Sequence, residues 1–195
     1  MPLHSFKEHY LEEAAAETVT LNWGRFNPPT IGHEKLLDVS HSKGSGDHRI
    51  YATQSVDNKK NPLDWKTKIK YMRKVFPKHA RMILMDKKVK TIFDALVIAH
   101  NDGYKNLELV VGSDRVGEFD TLVKKYNGTK GRHGFYDFAN IKIINAGERD
   151  PDAEGAEGMS ASKMRAAAAS NDLVAFTQGL PKKFRDAEGL SLIHI

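Results

Sequence analysis

A strand-like segment, a bent loop and a helix start follow one another near the beginning of the chain. Residues 19–23 (Val-Thr-Leu-Asn-Trp) have the β-branched and aromatic content of a strand. The loop at 24–33 contains two prolines and two glycines, and residues 34–39 have helical periodicity. A helix that starts at the end of a strand leaves backbone N–H groups unpaired there. This segment therefore predicts an anion-binding turn.

The end of this loop, Thr30-Ile31-Gly32-His33, carries side chains that suit a phosphate. Gly32 lets an anion approach the backbone closely because it has no Cβ, and His33 can donate a hydrogen bond from its ring. The alternative is an ordinary strand–helix turn in which His33 caps the helix or packs against it.

A second candidate anion site lies where residues 159–165 (Met-Ser-Ala-Ser-Lys-Met-Arg) open an alanine-rich helix. Ser160 or Ser162 is the expected N-cap, with its hydroxyl and nearby N–H groups available to an anion. Lys163 and Arg165 put cations in the first turn, which a helix disfavours by roughly 0.3–1 kcal/mol each. A polyanionic ligand would offset this cost. The alternative is a capped surface helix.

Together the two motifs resemble the signatures of the nucleotidyltransferase superfamily, an (H/T)-x-G-H loop and a downstream I-S-S-T-x-x-R helix start. Residues 30–33 match the first fully, and residues 159–165 match the second with Met for Ile, Ala for the second Ser and Ser for Thr. Residues 24–28 (Gly-Arg-Phe-Asn-Pro) are similar to the opening of phage and archaeal-type nicotinamide mononucleotide adenylyltransferases. The resemblance covers roughly residues 18–181.

The resemblance implies transfer of a nucleotidyl group from ATP to a small phosphorylated acceptor, most simply nicotinamide mononucleotide, with release of pyrophosphate. It assigns catalytic roles to Thr30, His33 and Arg165. It implies ligand binding by a larger set of residues: Gly24, Arg25, Phe26, Gly32, Lys59, Lys60, Gly112, Asp114, Ser160, Ser162 and Lys163. Mg²⁺ is expected to arrive with the triphosphate, and no metal site made by the protein is predicted.

Individual roles follow from the same resemblance. Thr30 would hold the acceptor phosphate or the α-phosphate through its hydroxyl, and His33 would donate to the α- and β-phosphates. Arg25 would grip a phosphate with two donors, and the 160–165 helix start would hold the β- and γ-phosphates. Asp114, in the turn at 112–114, would orient a sugar hydroxyl or a base; the alternative is that it simply caps the following helix.

The remaining chain alternates between strand-like and helical patterns. We predict strands at 18–23, 49–54, 81–85, 107–111 and 141–144, and helices at 31–42, 63–76, 91–102, 115–126, 162–170 and 173–178. This alternation favours parallel strands with right-handed crossovers. We therefore expect an α/β fold, a Rossmann-like three-layer α/β/α sandwich with a parallel five-stranded sheet. Its ligands should bind at the carboxyl ends of the strands.

The chain divides into an N-terminal helical extension (1–17, with an amphipathic helix at 5–16), one domain (18–181) and a tail (182–195). The last six residues, 190–195, look like a translated sequencing-adapter or cloning end, or else a natural disordered tail, and we exclude them from fold reasoning. An acidic loop precedes the second motif and is expected to be solvated or to act as a lid.

Composition fits one cytoplasmic domain (host cytoplasm if phage-encoded). The 195 residues are 40% hydrophobic, which is enough for a sizeable core, and the absence of Cys excludes disulfides and thiolate metal sites. No apolar run is long enough to span a bilayer, and the N-terminal residues are not those of a signal peptide, so we expect no membrane contact. The sequence leaves a homo-oligomer open.

Positive charge is concentrated between Asp57 and Lys90, where twelve Lys and Arg residues face three Asp residues. Such a block is either a solvated helix face or a surface that attracts phosphates. Nucleic acid is disfavoured as a partner because no RNA-reading motif accompanies the charge. In the resembled family a lysine after the second strand reaches the substrate, a role that Lys59 or Lys60 could take.

Two alternatives to the adenylyltransferase interpretation stay open. A cytidylyltransferase that uses CTP and a phosphorylated alcohol shares both signatures. A non-catalytic nucleotide- or RNA-binding domain could share the fold, but Thr30, His33 and Arg165 together disfavour it, because a pure binder does not need all three.

Overall fold

A computed structural model describes residues 17–147 and 160–185, which form a parallel sheet covered by helices. The strands β1–β4 are Thr18–Gly24, Asp47–Ala52, Asn106–Val111 and Asn140–Asn145. The helices α1–α6 are Ile31–Lys43, Trp65–Val75, Ile92–Asn101, Val116–Tyr126, Ala161–Ala169 and Leu173–Gln178. Single 3₁₀ turns lie at Pro77–His79, Ser113–Arg115 and Lys182–Phe184.

The four strands are all parallel and lie in the order β2-β1-β3-β4. The chain runs outward from β1 to β2 and then crosses back over β1 to form β3. The direction of winding therefore changes between β1 and β3, and in such sheets a crevice opens there, beyond the carboxyl ends of the strands. The predicted α/β class and parallel sheet are confirmed, and the arrangement is Rossmann-like.

Two buried apolar clusters cover opposite faces of the sheet. Ile50 belongs to one and Tyr51 to the other, and consecutive residues of a strand point to opposite faces. The first cluster includes Leu37 of α1 and Met72 of α2, together with residues of α5 and α6. The second includes Leu96 of α3 and residues of α4. Helices therefore flank the sheet on both sides.

The fifth strand, predicted at 81–85, is not confirmed. This segment meets β2 through one isolated parallel bridge, between Ile50 and Ile83. The 3₁₀ turn at Pro77–His79 brings the chain to the sheet edge only just before Ile83. Residues 82 and 84 make the bonds to β2, Met82 O accepting from Ile50 N and Leu84 N donating to Ile50 O (2.9 Å each). The Ile83 carbonyl therefore faces away from β2, and it accepts from Arg73 Nε (3.1 Å) and Nη2 (2.7 Å).

Side-chain caps fix where several helices begin. The helix predicted from residue 63 begins at Trp65 because the Asp64 carboxylate accepts the N–H groups of Lys66 and Thr67. Asp172 caps α6 in the same way, at the predicted boundary.

Some sequence predictions fall on residues outside the described ranges: the helix at 5–16, most of the acidic loop at 147–158, Met159, and the tail from 186 onward. Within the described ranges no helix has the length and apolarity needed to cross a membrane.

Candidate active site

A cavity of about 350 Å³ lies beyond the carboxyl ends of β1 and β3, where the winding direction changes. Its polar lining comprises Arg25, Asn27, His33, Thr53, Lys60, Asp114, Arg115, Ser160, Ser162 and Arg165. Its other lining residues are small or apolar: Trp23, Gly24, Phe26, Leu36, Val110, Val111, Gly112, Phe119 and Ala161. A wider cleft of about 860 Å³ lies beside β2 and the end of α3, and no predicted site residue lines it.

The loop after β1 turns back on itself at Phe26. Its φ of 47° is left-handed, which costs a non-glycine residue about 1–2 kcal/mol. The Phe26 ring packs on the His33 ring at 4.8 Å, and a Cβ on Gly24 would lie 2.9 Å from it. The buried Asn27 amide holds the loop by bonding both the N–H and the carbonyl of Leu63 (3.2 Å each). Backbone strain held in this way is typical of functional sites.

Thr30 and His33 form a reciprocal cap at the start of α1. His33 N donates to Thr30 Oγ1 (3.3 Å), and Thr30 N donates to His33 Nδ1 (3.0 Å). Because Nδ1 accepts this bond, a neutral His33 ring carries its proton on Nε2. Thr30 is 3% exposed and does not line the cavity. Its hydroxyl lies 2.9 Å from the same Nδ1, so it is placed to orient the His33 ring.

The two sequence motifs meet in space. Arg165 Nη1 donates to the carbonyl of Asn27 (2.7 Å), and its Nη2 donates to Ser162 Oγ (3.0 Å). The N–H of Ile31, the first residue of α1, donates to the carbonyl of Gly179 at the end of α6 (2.8 Å). The starts of α1 and α5 therefore lie beside one cavity. Arg165 links α5 to the loop before α1, and the backbone bond links α1 to the end of α6.

The start of α5 is capped as predicted. Ser160 Oγ accepts the N–H of Lys163 (3.1 Å), which identifies Ser160 and not Ser162 as the N-cap. Ser162 lines the cavity and accepts from Arg165, whereas Lys163 does not line the cavity.

Positive charge predominates in the cavity. Of its lining side chains, four are cationic (Arg25, Lys60, Arg115 and Arg165) and one is a carboxylate, Asp114. Arg115 is paired with Glu118 (2.8 Å). The pKa of Arg165 is lowered by burial and then by the charge of Arg25, with Asp57 acting in the opposite direction. Cations brought this close together favour an anionic ligand.

Asp57 organises the loop that follows β2. Its carboxylate accepts the N–H groups of Lys59 (2.9 Å) and Lys60 (2.5 Å) and the Asn61 amide (2.6 Å). These hydrogen bonds, the one from Lys60 first, lower the pKa of Asp57 to about 2. Of the two candidate lysines, Lys60 lines the cavity and Lys59 does not.

The cavity brings together ten of the predicted site residues: Gly24, Arg25, Phe26, His33, Lys60, Gly112, Asp114, Ser160, Ser162 and Arg165. Four others do not line it: Thr30, Gly32, Lys59 and Lys163. A Cβ on Gly32 would make only an ordinary 3.6 Å contact, so internal packing does not require a glycine there. Asp114 caps no helix, because neither the Ser113–Arg115 turn nor α4 has a side-chain cap.

Nine lining residues are not among the predicted site residues: Trp23, Asn27, Leu36, Thr53, Val110, Val111, Arg115, Phe119 and Ala161. Trp23 is the penultimate residue of β1, Thr53 follows β2 directly, and Phe119 lies on the first turns of α4. The first two occupy strand ends, and that position in a parallel sheet is the signal that could have found them.

Within the described residues, no group of three or more His, Asp or Glu residues could hold a metal ion. With Asp114 as the single lining carboxylate, Mg²⁺ fits this cavity when phosphate oxygens supply most of its ligands.

No protein-family model matches this chain, and no curated protein matches it.

Proposed function

We propose that the protein is a nucleotidyltransferase that transfers the adenylyl group of ATP to a phosphorylated acceptor, nicotinamide mononucleotide. One observation carries the proposal: two capped helix starts, those of α1 and α5, border one cavity whose lining is cationic. Within the described residues, neither Arg25 nor Lys60 has an ion-pair partner in the protein. Both are therefore available to phosphates.

The reaction needs positioning and charge neutralisation more than a protein nucleophile. An oxygen of the acceptor phosphate attacks the α-phosphorus of ATP and forms a new P–O bond. The bond from the α-phosphorus to the oxygen bridging the β-phosphate breaks, and pyrophosphate leaves in line. Mg²⁺ enters as part of the MgATP substrate and shields the charge on the phosphates.

The residues near the two helix starts have different proposed roles in binding and catalysis. His33 donates from Nε2 to the α- and β-phosphates as charge develops on them, and Thr30 is the positioning residue that holds its ring. The start of α5, with Ser160 and Arg165, binds the β- and γ-phosphates. Arg25 binds the phosphate of the acceptor from the mouth of the cavity.

The remaining wall of the cavity suits a nucleoside. Trp23 gives it an apolar surface on which a flat ring can pack. Val110 and Phe119 are 1% and 6% exposed and add little surface, and the Arg115 guanidinium lies 5.0 Å from the centre of the Phe119 ring. Asp114 is the carboxylate able to accept a hydrogen bond from a ribose hydroxyl. An apolar wall beside a cationic one matches the two halves of a nucleotide.

The test is a panel of the four nucleoside triphosphates with Mg²⁺ and either nicotinamide mononucleotide or a phosphorylated alcohol, in which pyrophosphate and the condensation product are both measured. We expect ATP to give NAD and pyrophosphate in equal amounts. Pyrophosphate formed only from CTP and a phosphorylated alcohol would support the cytidylyltransferase instead. Nucleotide binding without pyrophosphate from any pair would support a non-catalytic binder.

A further inference from the structure

Lys68 is a buried lysine beneath the carboxyl end of β2. It lies in α2 and is 0% exposed. Its Nζ donates to the carbonyl oxygen of Thr53 (2.6 Å) and lies 3.3 Å from Thr53 Oγ1. In the described part of the chain it has no ion-pair partner. The charged group that acts on it is Asp64, whose carboxylate already caps α2 through Lys66 N and Thr67 N.

A buried ammonium without a carboxylate partner is unfavourable. The effective penalty for burying one ion is several kcal/mol, and burial lowers the pKa of Lys68 to about 8. Other lysines of α2, such as Lys66 and Lys70, are exposed to solvent. An apolar side chain at position 68 would extend the buried face formed by Ile69 and Met72 without this penalty.

The hydrogen-bond partner of Lys68, Thr53, connects it to the cavity. Thr53 lines the cavity, and its N–H donates to the carbonyl of Gly24 (2.9 Å), which is the last residue of β1. Gly24 is followed at once by Arg25. Two hydrogen bonds, both made by the backbone of Thr53, therefore link the Lys68 ammonium to the ends of β1 and β2.

We propose that Lys68 is a positioning residue of the phosphate site, which fixes Thr53 and the ends of β1 and β2 and supplies a positive charge that bound phosphates neutralise. The inference rests on the proposed function for its ligand class, a polyphosphate. It adds a cation that does not line the cavity and that lies outside both sequence motifs.

Inorganic tripolyphosphate is a suitable probe, because it needs neither an acceptor nor turnover. We expect Lys68→Met to bind it about tenfold more weakly than the wild type in calorimetric titration, while remaining folded with an unchanged or higher melting temperature. Lys70→Met is the matched control: it removes the same charge from an exposed position on the same helix and should bind within about twofold of the wild type. Equal affinities of the two variants, or no binding by the wild type, would overturn the inference.

A second measurement needs no variant. If bound phosphates neutralise Lys68, its pKa must rise when tripolyphosphate binds, by about 1 for a tenfold preference for the protonated form. We would follow Lys68 by ¹³Cε-lysine NMR, through the resonance whose titration midpoint lies near pH 8. We expect saturating tripolyphosphate to raise that midpoint by about 1. An unchanged titration midpoint would overturn the inference even if Lys68→Met did not fold.

The two proposals can fail separately. If ATP and nicotinamide mononucleotide give no NAD while both tripolyphosphate results are as expected, the adenylyltransferase proposal fails and the role of Lys68 stands. If NAD forms and Lys68→Met binds tripolyphosphate as the wild type does, Lys68 is a structural lysine of an active enzyme.

Discussion

His33 combines a partly buried ring, a reciprocal cap with Thr30 and a place in the cavity lining. Loss of one donor aimed at transition-state charge typically costs about 10²–10³ in kcat. We expect His33→Ala to lower kcat by that factor and to change KM much less, as measured by pyrophosphate release. The control His41→Ala alters an exposed histidine at the other end of α1 and should leave kcat unchanged. Near-full turnover in His33→Ala would rule out the proposed role.

Arg165 makes structural hydrogen bonds and is also proposed to bind phosphates, and one pair of variants can separate these two roles. Arg165→Ala removes a cavity cation and also the bonds to Asn27 and Ser162, so we expect weaker ATP binding together with a lower melting temperature. Arg165→Lys keeps the charge but lacks the planar fork that grips two phosphate oxygens, so it should restore affinity only in part. Unchanged ATP affinity with a lowered melting temperature would show that Arg165 is only a structural link.

Much of the candidate site could be predicted from its residues, because helix starts, glycines and cations are visible in a sequence. The role of Thr30 could not, since nothing in the tetrapeptide shows that its hydroxyl faces His33. The burial of Lys68 could not be predicted for a different reason. This lysine lies in a basic run, and such a run suggests a solvent-exposed helix face. Its spacing from Met72 and Phe76, four and eight residues away along one helix face, is the signal that it points inward.

At the scale of elements, the position of the α5–α6 pair depends on Gly179. A Cβ there would lie 2.4 Å from Met164 Sδ, in a fully buried side chain, and the Gly179 carbonyl also accepts from Ile31 of α1. We expect Gly179→Ala to lower the free energy of unfolding by about 1–3 kcal/mol, the usual cost of overpacking. Tripolyphosphate affinity should fall with it, because the start of α5 moves relative to that of α1.

The matched control for that substitution is Gly117→Ala. Gly117 is the second residue of α4, and an added Cβ would meet no atom within 4 Å. Alanine favours a helix over glycine by roughly 0.5–1 kcal/mol, so this variant should be more stable than the wild type. Denaturant unfolding of both variants measures the difference, and equal effects would contradict the packing argument.

Strand and helix types were predictable because local pattern and long-range packing agree in most elements. In α6 the Asp172 cap and the terminal Gly179 both mark the boundaries that the structure has. The segment at 81–85 has the composition of a strand, but it pairs with β2 only around Ile83, because the turn at Pro77–His79 brings the chain to the sheet edge late. The point at which a turn brings a segment to a sheet edge depends on the tertiary structure, and local periodicity does not report it.

For the whole molecule, the buried His79 and the half-buried His48 predict a loss of stability in mild acid. Burial is the first cause that lowers the pKa values of His48 and His79, each below an ordinary value of 6.5. The unfolded chain therefore takes up protons first as the pH falls, so the stabilisation is complete above about pH 6.5 and declines below it. We expect urea unfolding to show lower stability at pH 5.5 than at pH 7.5, with a shallower decline in His79→Gln. Equal wild-type stability at the two pH values would contradict this.

The bond between Arg165 and the carbonyl of Asn27 joins residues 138 positions apart in the chain. A ribosome must therefore add all of those residues after Asn27 before the loop that begins the domain can meet its partner. A nascent chain that stops before Ser160 lacks four of the nineteen lining residues, Ser160, Ala161, Ser162 and Arg165, and on the proposed function it should not retain nucleotide. Nucleotide retention in a ribosome-stalled series of this protein would then report the completion of translation through Arg165.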